Sequence, residues 1–178
     1  MALTAAAENV RDPDSVTLIA ELSAALATLY GVGDGSAGFK PEDVEVPRAA
    51  FFVARIGGVA AGCGAIRPLS EDSVEVKRMY TRPQFKHSGV GAAVLAELER
   101  LALEFGYKHV KLQTGPRQLF AAALYERVGY RRIPRFAGEW DAVLAYQKDL
   151  EPVPLQPEEP ASLQPALEGT AANAQGRA

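Results

Sequence analysis

SVEVKRMYTRPQFKHSGVGAAVLAELERLALEF, residues Ser73–Phe105, decides how the chain is read. Ser73 to Tyr80 line up β-branched, aromatic and long side chains without Gly or Pro, the composition of a strand. Further on, Val94, Leu95, Leu98, Leu101, Ala102 and Phe105 recur on one stripe with the period of a helix, and Gly106 supplies the stop. Between strand and helix lies the turn Lys86-His87-Ser88-Gly89-Val90-Gly91. The first N–H groups of a helix have no partner inside it and carry partial positive charge. Glycines have no Cβ, so an anion can approach that backbone closely. Strand, glycine turn and helix start together predict a phosphate site, although glycines also serve ordinary tight turns.

The six residues of this turn are similar to the Arg/Gln-x-x-Gly-x-Gly/Ala signature of the GCN5-related N-acetyltransferases (GNAT), with Lys86 in place of Arg or Gln and His87 where many relatives have Gly. A second block, Gln118 to Tyr130 (QLFAAALYERVGY), resembles the family's Asn-x-x-Ala-x-x-Leu-Tyr-Glu-x-x-Gly-Phe motif with Gln118 in the Asn position. Two blocks in the right order are more specific than either alone. The resemblance spans about residues 14 to 150. It implies an α/β (α+β) fold: a mixed, mostly antiparallel central sheet flanked by helices, with splayed central strands, as in the acyl-CoA N-acyltransferases.

Composition sets compatible bounds. The chain has 178 residues, 48% of them hydrophobic, enough for one domain with a sizeable core. Residues 1–150 are read as that domain. Residues 151–178 hold five of the twelve prolines and few large apolar side chains, and are expected to be a disordered Pro/Glu/Ala-rich tail. No apolar run approaches the ~20 residues of a membrane span. The start, MALTAAAENVRD, lacks the basic and apolar regions of a secretory signal, and Cys63 has no second cysteine to pair with, so a reduced cytoplasmic setting is expected. Two histidines, His87 and His109, and one cysteine give no metal cluster. Residues 74–135 carry twelve Lys/Arg against five Asp/Glu, while the whole chain has a net charge of −3. The positive excess surrounds the predicted phosphate turn, where it would attract a phosphorylated ligand. Nucleic acid is not an expected partner, because the pI is near 5.5 and no basic-aromatic pattern appears.

Taken in order, residues 1–13 signal a first strand only weakly. A helix capped by Asp14 or Ser15 is expected to run to Tyr30, with Leu18, Leu22, Ala25, Leu26 and Leu29 as its stripe and Gly31 as its stop. Residues 31–48 read as loop with one helical turn after Pro41. Ala49–Arg55 and Val59–Arg67 read as a hairpin closed by Gly57-Gly58, and Gly62 and Gly64 suggest a bulge or a close backbone neighbour. A strand at Lys108–Leu112, a helix at Arg117–Val128 and an antiparallel pair, Tyr130–Ile133 with Ala142–Leu150, follow.

Acyl transfer to an amine requires a held thioester, a deprotonated nucleophile, donors for a tetrahedral oxyanion and an acid for the leaving thiolate. The resemblance implies acetyl-CoA as the acyl donor. It places the donor on Met79, Tyr80 and Thr81 of the strand, on Lys86, His87, Ser88, Gly89, Val90, Gly91 and Ala92 at the turn and helix start, and on Gln118 beside the pantetheine arm. It makes Tyr125 the general acid and Glu75 the general base. Two bland alternatives stand beside these roles: Tyr125 as a packed core tyrosine, and Glu75 as an ion-pair partner of Lys77 or an arginine. Strand alternation puts Glu75, Lys77 and Met79 on one face. The implied activity is acetyl transfer to a primary amine of a small molecule or peptide by direct attack in a ternary complex. A non-catalytic acyl-CoA-binding or regulatory module is the rival, and a homodimer is compatible with either. The acceptor loops, 31–48 and 134–141, carry no signature, although Glu139 and Asp141 could meet a cationic amine.

Overall fold

The computed structural model describes residues 1–152. Along the chain run β1 (Leu3–Glu8), α1 (Pro13–Tyr30), a 3-10 turn (Pro41–Val44), β2 (Ala50–Ile56), β3 (Val59–Pro68) and β4 (Ser73–Thr81). A second 3-10 turn (Pro83–Phe85) leads into α2 (Val90–Glu104), followed by β5 (His109–Thr114), α3 (Leu119–Arg127), β6 (Arg131–Ile133) and β7 (Leu144–Asp149). The seven strands make one sheet in the order β1-β2-β3-β4-β5-β7-β6. Only β4 and β5 run parallel, so the expected mixed, mostly antiparallel sheet is what forms. The expected tail lies, beyond Glu151 and Pro152, outside the described residues.

Alternating side chains split the core into two layers. On one face Phe52, Ile66, Val74, Val76, Val110, Leu112 and Tyr146 pack under Val94, Leu95 and Leu98 of α2 and Ala122 and Tyr125 of α3. On the other, Phe51, Val53, Cys63 and Ala65 pack against Leu18 of α1. Helix α2 buries the predicted stripe, with Val94, Leu95, Leu98 and Ala102 inside, and Gly106 follows at φ 85°. The Gly57-Gly58 hairpin turn has both residues at positive φ, as a tight two-residue turn demands.

Two expectations need correction here. Helix α1 starts one residue before the expected Asp14 or Ser15 cap: Asp12 is extended at its N-cap and Pro13 opens the first turn. Proline's fixed φ suits that position and outweighs a side-chain cap, which none of the residues supplies. Strand alternation also fails within β4. Arg78 adopts φ 55°, left-handed for a non-glycine residue. Ala65 faces Lys77 and Cys63 faces Tyr80, so Gly64 alone spans both Arg78 and Met79, which is a β-bulge. Glu75 and Lys77 do share a face, but Met79 turns over to pack with the α2 layer and Tyr80 returns to the α1 layer.

Candidate active site

Strand β4 pairs with β5 only from Ser73↔His109 to Val76↔Leu112. Beyond that, β4 keeps β3 as far as Thr81↔Gly62, while β5 keeps β7 to Thr114↔Leu144. Among the described residues no backbone pairing joins Lys77–Thr81 to Gln113–Thr114, so the sheet parts at its centre. The gap is a cavity of about 110 Å³ reached from both layers: Leu22, Leu26 and Ala37 line it on the α1 side, Gln118 and Tyr125 on the α3 side, and Lys77, Arg78 and Met79 between.

The bulge that opens this gap is fixed by contacts on both sides. The Arg78 guanidinium donates to the carbonyls of Gly35 (3.1 Å) and Ser36 (2.6 Å) and to Ser23 Oγ (3.4 Å), and lies over the Phe39 ring. It thereby anchors the 34–39 loop onto α1. On the opposite face Gly62 and Gly64 let β3 lie close under α2. A Cβ at Gly64 would stand 2.6 Å from Met79 Sδ and 2.7 Å from Val94 Cγ1, and one at Gly62 would overlap the Tyr80 carbonyl oxygen. The close neighbour expected from these glycines is there.

The predicted phosphate turn follows directly. His87 takes φ 65° and Gly89, the residue before α2, φ 80°. The first internal bond of the helix runs from the Ala93 N–H to the Gly89 carbonyl at 3.0 Å. Ahead of it, the N–H groups of Val90, Gly91 and Ala92 have no acceptor among the described residues, and no side chain caps them. An anion can take all three. One neighbour escaped sequence reasoning. Phe120, largely exposed at the start of α3, sets its ring 5.8 Å from that of His87 and 6.0 Å from Lys86 Nζ, so the two motif blocks meet.

Tyr125 is 4% exposed and sits among the rings of Tyr130 (5.8 Å) and Tyr146 (6.0 Å). Its hydroxyl has no hydrogen-bond partner among the described residues, and burial holds its pKa far above the ordinary phenol range. Gln118 is already engaged: its Oε1 accepts from the Gly115 N–H (2.9 Å) and the Tyr30 hydroxyl (3.3 Å). Its amide NH₂ has no partner among the described residues. Tyr30, also missed from sequence, accepts from the Arg117 N–H (3.4 Å) and meets Trp140 edge to face at 5.2 Å. Gln113, on β5, holds the 134–141 loop by accepting from the Phe136 N–H (2.9 Å) and donating to the Ala137 carbonyl (3.0 Å). Of the two acidic residues of that loop, Asp141 pairs with Arg135 at 3.2 Å.

Glu75 is buried in an ion cluster. Its Oε2 accepts from Arg67 Nε at 3.1 Å, its Oε1 lies 3.7 Å from Lys77 Nζ, and Arg67 also reaches Asp43 at 2.6 Å. Lys77 lines the cavity; Glu75 does not. Burial lowers the Lys77 pKa, and attraction to Glu75 offsets part of that. Cys63 is fully buried, its thiol pushed up to about 12 by burial and its S–H donated to the Arg78 carbonyl, so it is inert as a nucleophile. His109 pairs with Asp149 at 2.7 Å on the distal sheet. Among the described residues no group of His, Cys, Asp and Glu could hold a metal, and no helix is long and apolar enough to cross a membrane.

Comparison with known proteins gives an independent reading. A family model described as "Acetyltransferase (GNAT) family" matches residues 18–130. The chain is 33% identical over 129 residues to the IAA acetyltransferase of Azospirillum brasilense, covering 72% of this chain and 84% of that one. Among solved structures, a Klebsiella pneumoniae protein assigned to the acyl-CoA N-acyltransferases superposes with a TM-score of 0.68 at 30% identity, covering 84% of this chain and 98% of the other. A GNAT acetyltransferase of Elizabethkingia anophelis, solved with acetyl-CoA bound, shares the fold at a TM-score of 0.61 and 15% identity, covering 83% and 98%.

Proposed function

The chain is an N-acetyltransferase of the GNAT family, and from that premise we propose that it transfers the acetyl group of acetyl-CoA to a primary amine by direct attack in a ternary complex. The observation that carries the reading is the parted pair β4/β5, which leaves one edge of Lys77–Thr81 without backbone partners next to a helix start whose first N–H groups have no acceptor among the described residues. In this reading the pyrophosphate sits on the N–H groups of Val90, Gly91 and Ala92, in the Lys86–Ala92 run. The pantetheine arm lies along Met79, Tyr80 and Thr81, with the Gln118 amide as a further donor. Backbone N–H groups of Met79 and Thr81 meet the thioester carbonyl, where negative charge grows as the amine adds.

The amine enters from the α1 side. Its lone pair forms the C–N bond, the C–S bond breaks, and the departing sulfur takes a proton from the Tyr125 hydroxyl on the α3 side. The added nitrogen gives up its surplus proton to solvent, and the Tyr125 phenolate takes one back from solvent before the next turnover. Two magnitudes bear on that step. An alkyl thiol in water has a pKa near ~8.5, so its thiolate would draw little from so weak an acid as buried Tyr125. Burial, however, makes a thiolate more basic as well, as it does at Cys63, whose thiol rises to about 12. Burial raises the basicity of thiolate and phenolate alike, so it does not by itself prevent the transfer. Glu75 is read here as a positioning residue that holds Lys77, given that only Lys77 lines the cavity.

Scanning calorimetry with acetyl-CoA, coenzyme A and NAD should show stabilisation by the first two alone. Thiol release over a panel of amines then separates an enzyme from an acyl-CoA-binding module, which would be stabilised without turnover. No stabilisation by acetyl-CoA would overturn the reading.

A further inference from the structure

The α1 side of the cavity is lined by cations and by no carboxylate. The bulge at Arg78 turns Lys77 and Arg78 toward the same layer, and both line the cavity. No Asp or Glu is among the lining residues. Arg78 spends its donors on the Gly35 and Ser36 carbonyls and Ser23, and its guanidinium stays put. Lys77 differs. Its side chain is 23% exposed, and its only carboxylate contact among the described residues is Glu75 Oε1 at 3.7 Å, beyond hydrogen-bond reach. None of its three N–H donors has an acceptor among the described residues. Glu75 in turn is shared with Arg67, which also takes Asp43. Three carboxylates stand near the three cations Arg67, Lys77 and Arg78: Glu75, Asp43 and Asp34, the last held by Ser36 and attracted to Arg78. Lys77 is thus ion-paired with Glu75 Oε1, which has no hydrogen-bond partner of its own among the described residues, and its three N–H donors are still unused. A largely buried ammonium with unused donors gains from an acceptor that completes them.

We infer that Lys77 receives an anionic group of the acceptor, a carboxylate, so that the amines acetylated here are amino acids or closely similar molecules carrying amine and carboxylate together. The inference rests on the acetyl-transfer reading above and names its acceptor class. Three features support it. Lys77 Nζ lies under the 34–39 loop, 3.5 Å from the place a Gly38 Cβ would occupy, which is on the acceptor side of the sheet. Leu22, Leu26 and Ala37 give that side an apolar wall for a side chain. Polycationic amines would meet Lys77 and Arg78 with no carboxylate in the lining to offset the repulsion.

The test compares L-amino acids with their own carboxamides, at saturating acetyl-CoA, by thiol release. Removing the carboxylate charge lowers the amine's basicity and leaves more of it deprotonated, so chemistry alone favours the carboxamides. Lys77 recognition should reverse that order, giving the acids at least a tenfold advantage in kcat/KM for the members turned over. In Lys77→Met the acid-to-carboxamide ratio should collapse to one or below, through KM, and Lys77→Arg should restore part of it. Acetyl-CoA-induced stabilisation of each variant reports that it has folded. The wild-type comparison decides without any variant. Carboxamides or polyamines turned over as well as the acids would overturn the inference, as would a ratio unchanged in Lys77→Met. Stabilisation by acetyl-CoA with no amino acid accepted would overturn the acceptor class alone, while no stabilisation would overturn the acetyl-transfer reading with it.

Discussion

Strand β4 is hydrogen-bonded on both sides from Val74 to Val76 and on one side only from Lys77 to Thr81. The first half holds a buried ion cluster and two core valines, Val74 and Val76. Its second half contains the left-handed Arg78, borders the cavity and leads to the open start of α2. One strand, with no change in composition that would mark the boundary, is fully paired scaffold over three residues and, in the function proposed above, binding surface over the next five. Stability and function should therefore separate along it.

Glu75→Gln tests the scaffold half and carries the largest expected effect. It keeps the shape but strips the charge from between Arg67 and Lys77, both mostly buried. Breaking such a pair costs roughly 3 kcal/mol. For a chain of this size that is a fall in Tm of roughly 6–12 °C, measured by calorimetry. A fall of activity with Tm unchanged would instead make Glu75 part of the chemistry.

Tyr125→Phe tests the open half from across the cavity. It should lower kcat by roughly 10²-fold, about 2.7 kcal/mol in the barrier. Its Tm should hardly move, because the hydroxyl bonds to no described residue. The pH profile sharpens the point. Burial raises the Tyr125 pKa, so the acid form persists beyond the pH at which a free phenol ionises. No alkaline loss of rate attributable to Tyr125 should then appear below about pH 10. An alkaline limb in wild type that vanishes in Tyr125→Phe would show that the burial argument fails.

Gly91→Val gives the smallest of the three effects. Its Cβ would stand 3.0 Å from Leu124 Cδ2, and its methyls would crowd the helix start. Acetyl-CoA affinity should fall about tenfold, roughly 1.4 kcal/mol, by titration calorimetry. The fold should persist, since Gly89 is the left-handed residue of this turn. Unchanged affinity would move the phosphate site elsewhere.

Most of the elements were legible because their signals are local. The stripe of α2, the left-handed stops at Gly31 and Gly106 and the Gly57-Gly58 hairpin each follow from neighbours in sequence. The bulge was legible only from its partner strand. Gly62 and Gly64 announce a close approach, but nothing about Arg78 suggests a left-handed residue; that conformation is supported by carbonyls forty residues away. For the same reason the spread of the site was incomplete. Phe120, Tyr30 and the unused donors of Lys77 depend on which segments the sheet brings together, and Met79 was placed on the wrong face because alternation was carried through the bulge.

The ring of Tyr30 has a consequence for anyone who would rebuild this protein. It closes α1, its hydroxyl lies between the Arg117 N–H and Gln118, and its edge meets Trp140. Gly115 has no room for a Cβ beside that hydroxyl. The end of α1, the turn before α3 and the 134–141 loop are therefore keyed to a single side chain and cannot be exchanged one at a time. A loop grafted from a relative to alter substrate choice would need its own counterpart of Tyr30 and Gly115 to travel with it. Libraries that randomise the 134–141 loop should conserve the tyrosine–glycine pair and vary the rest.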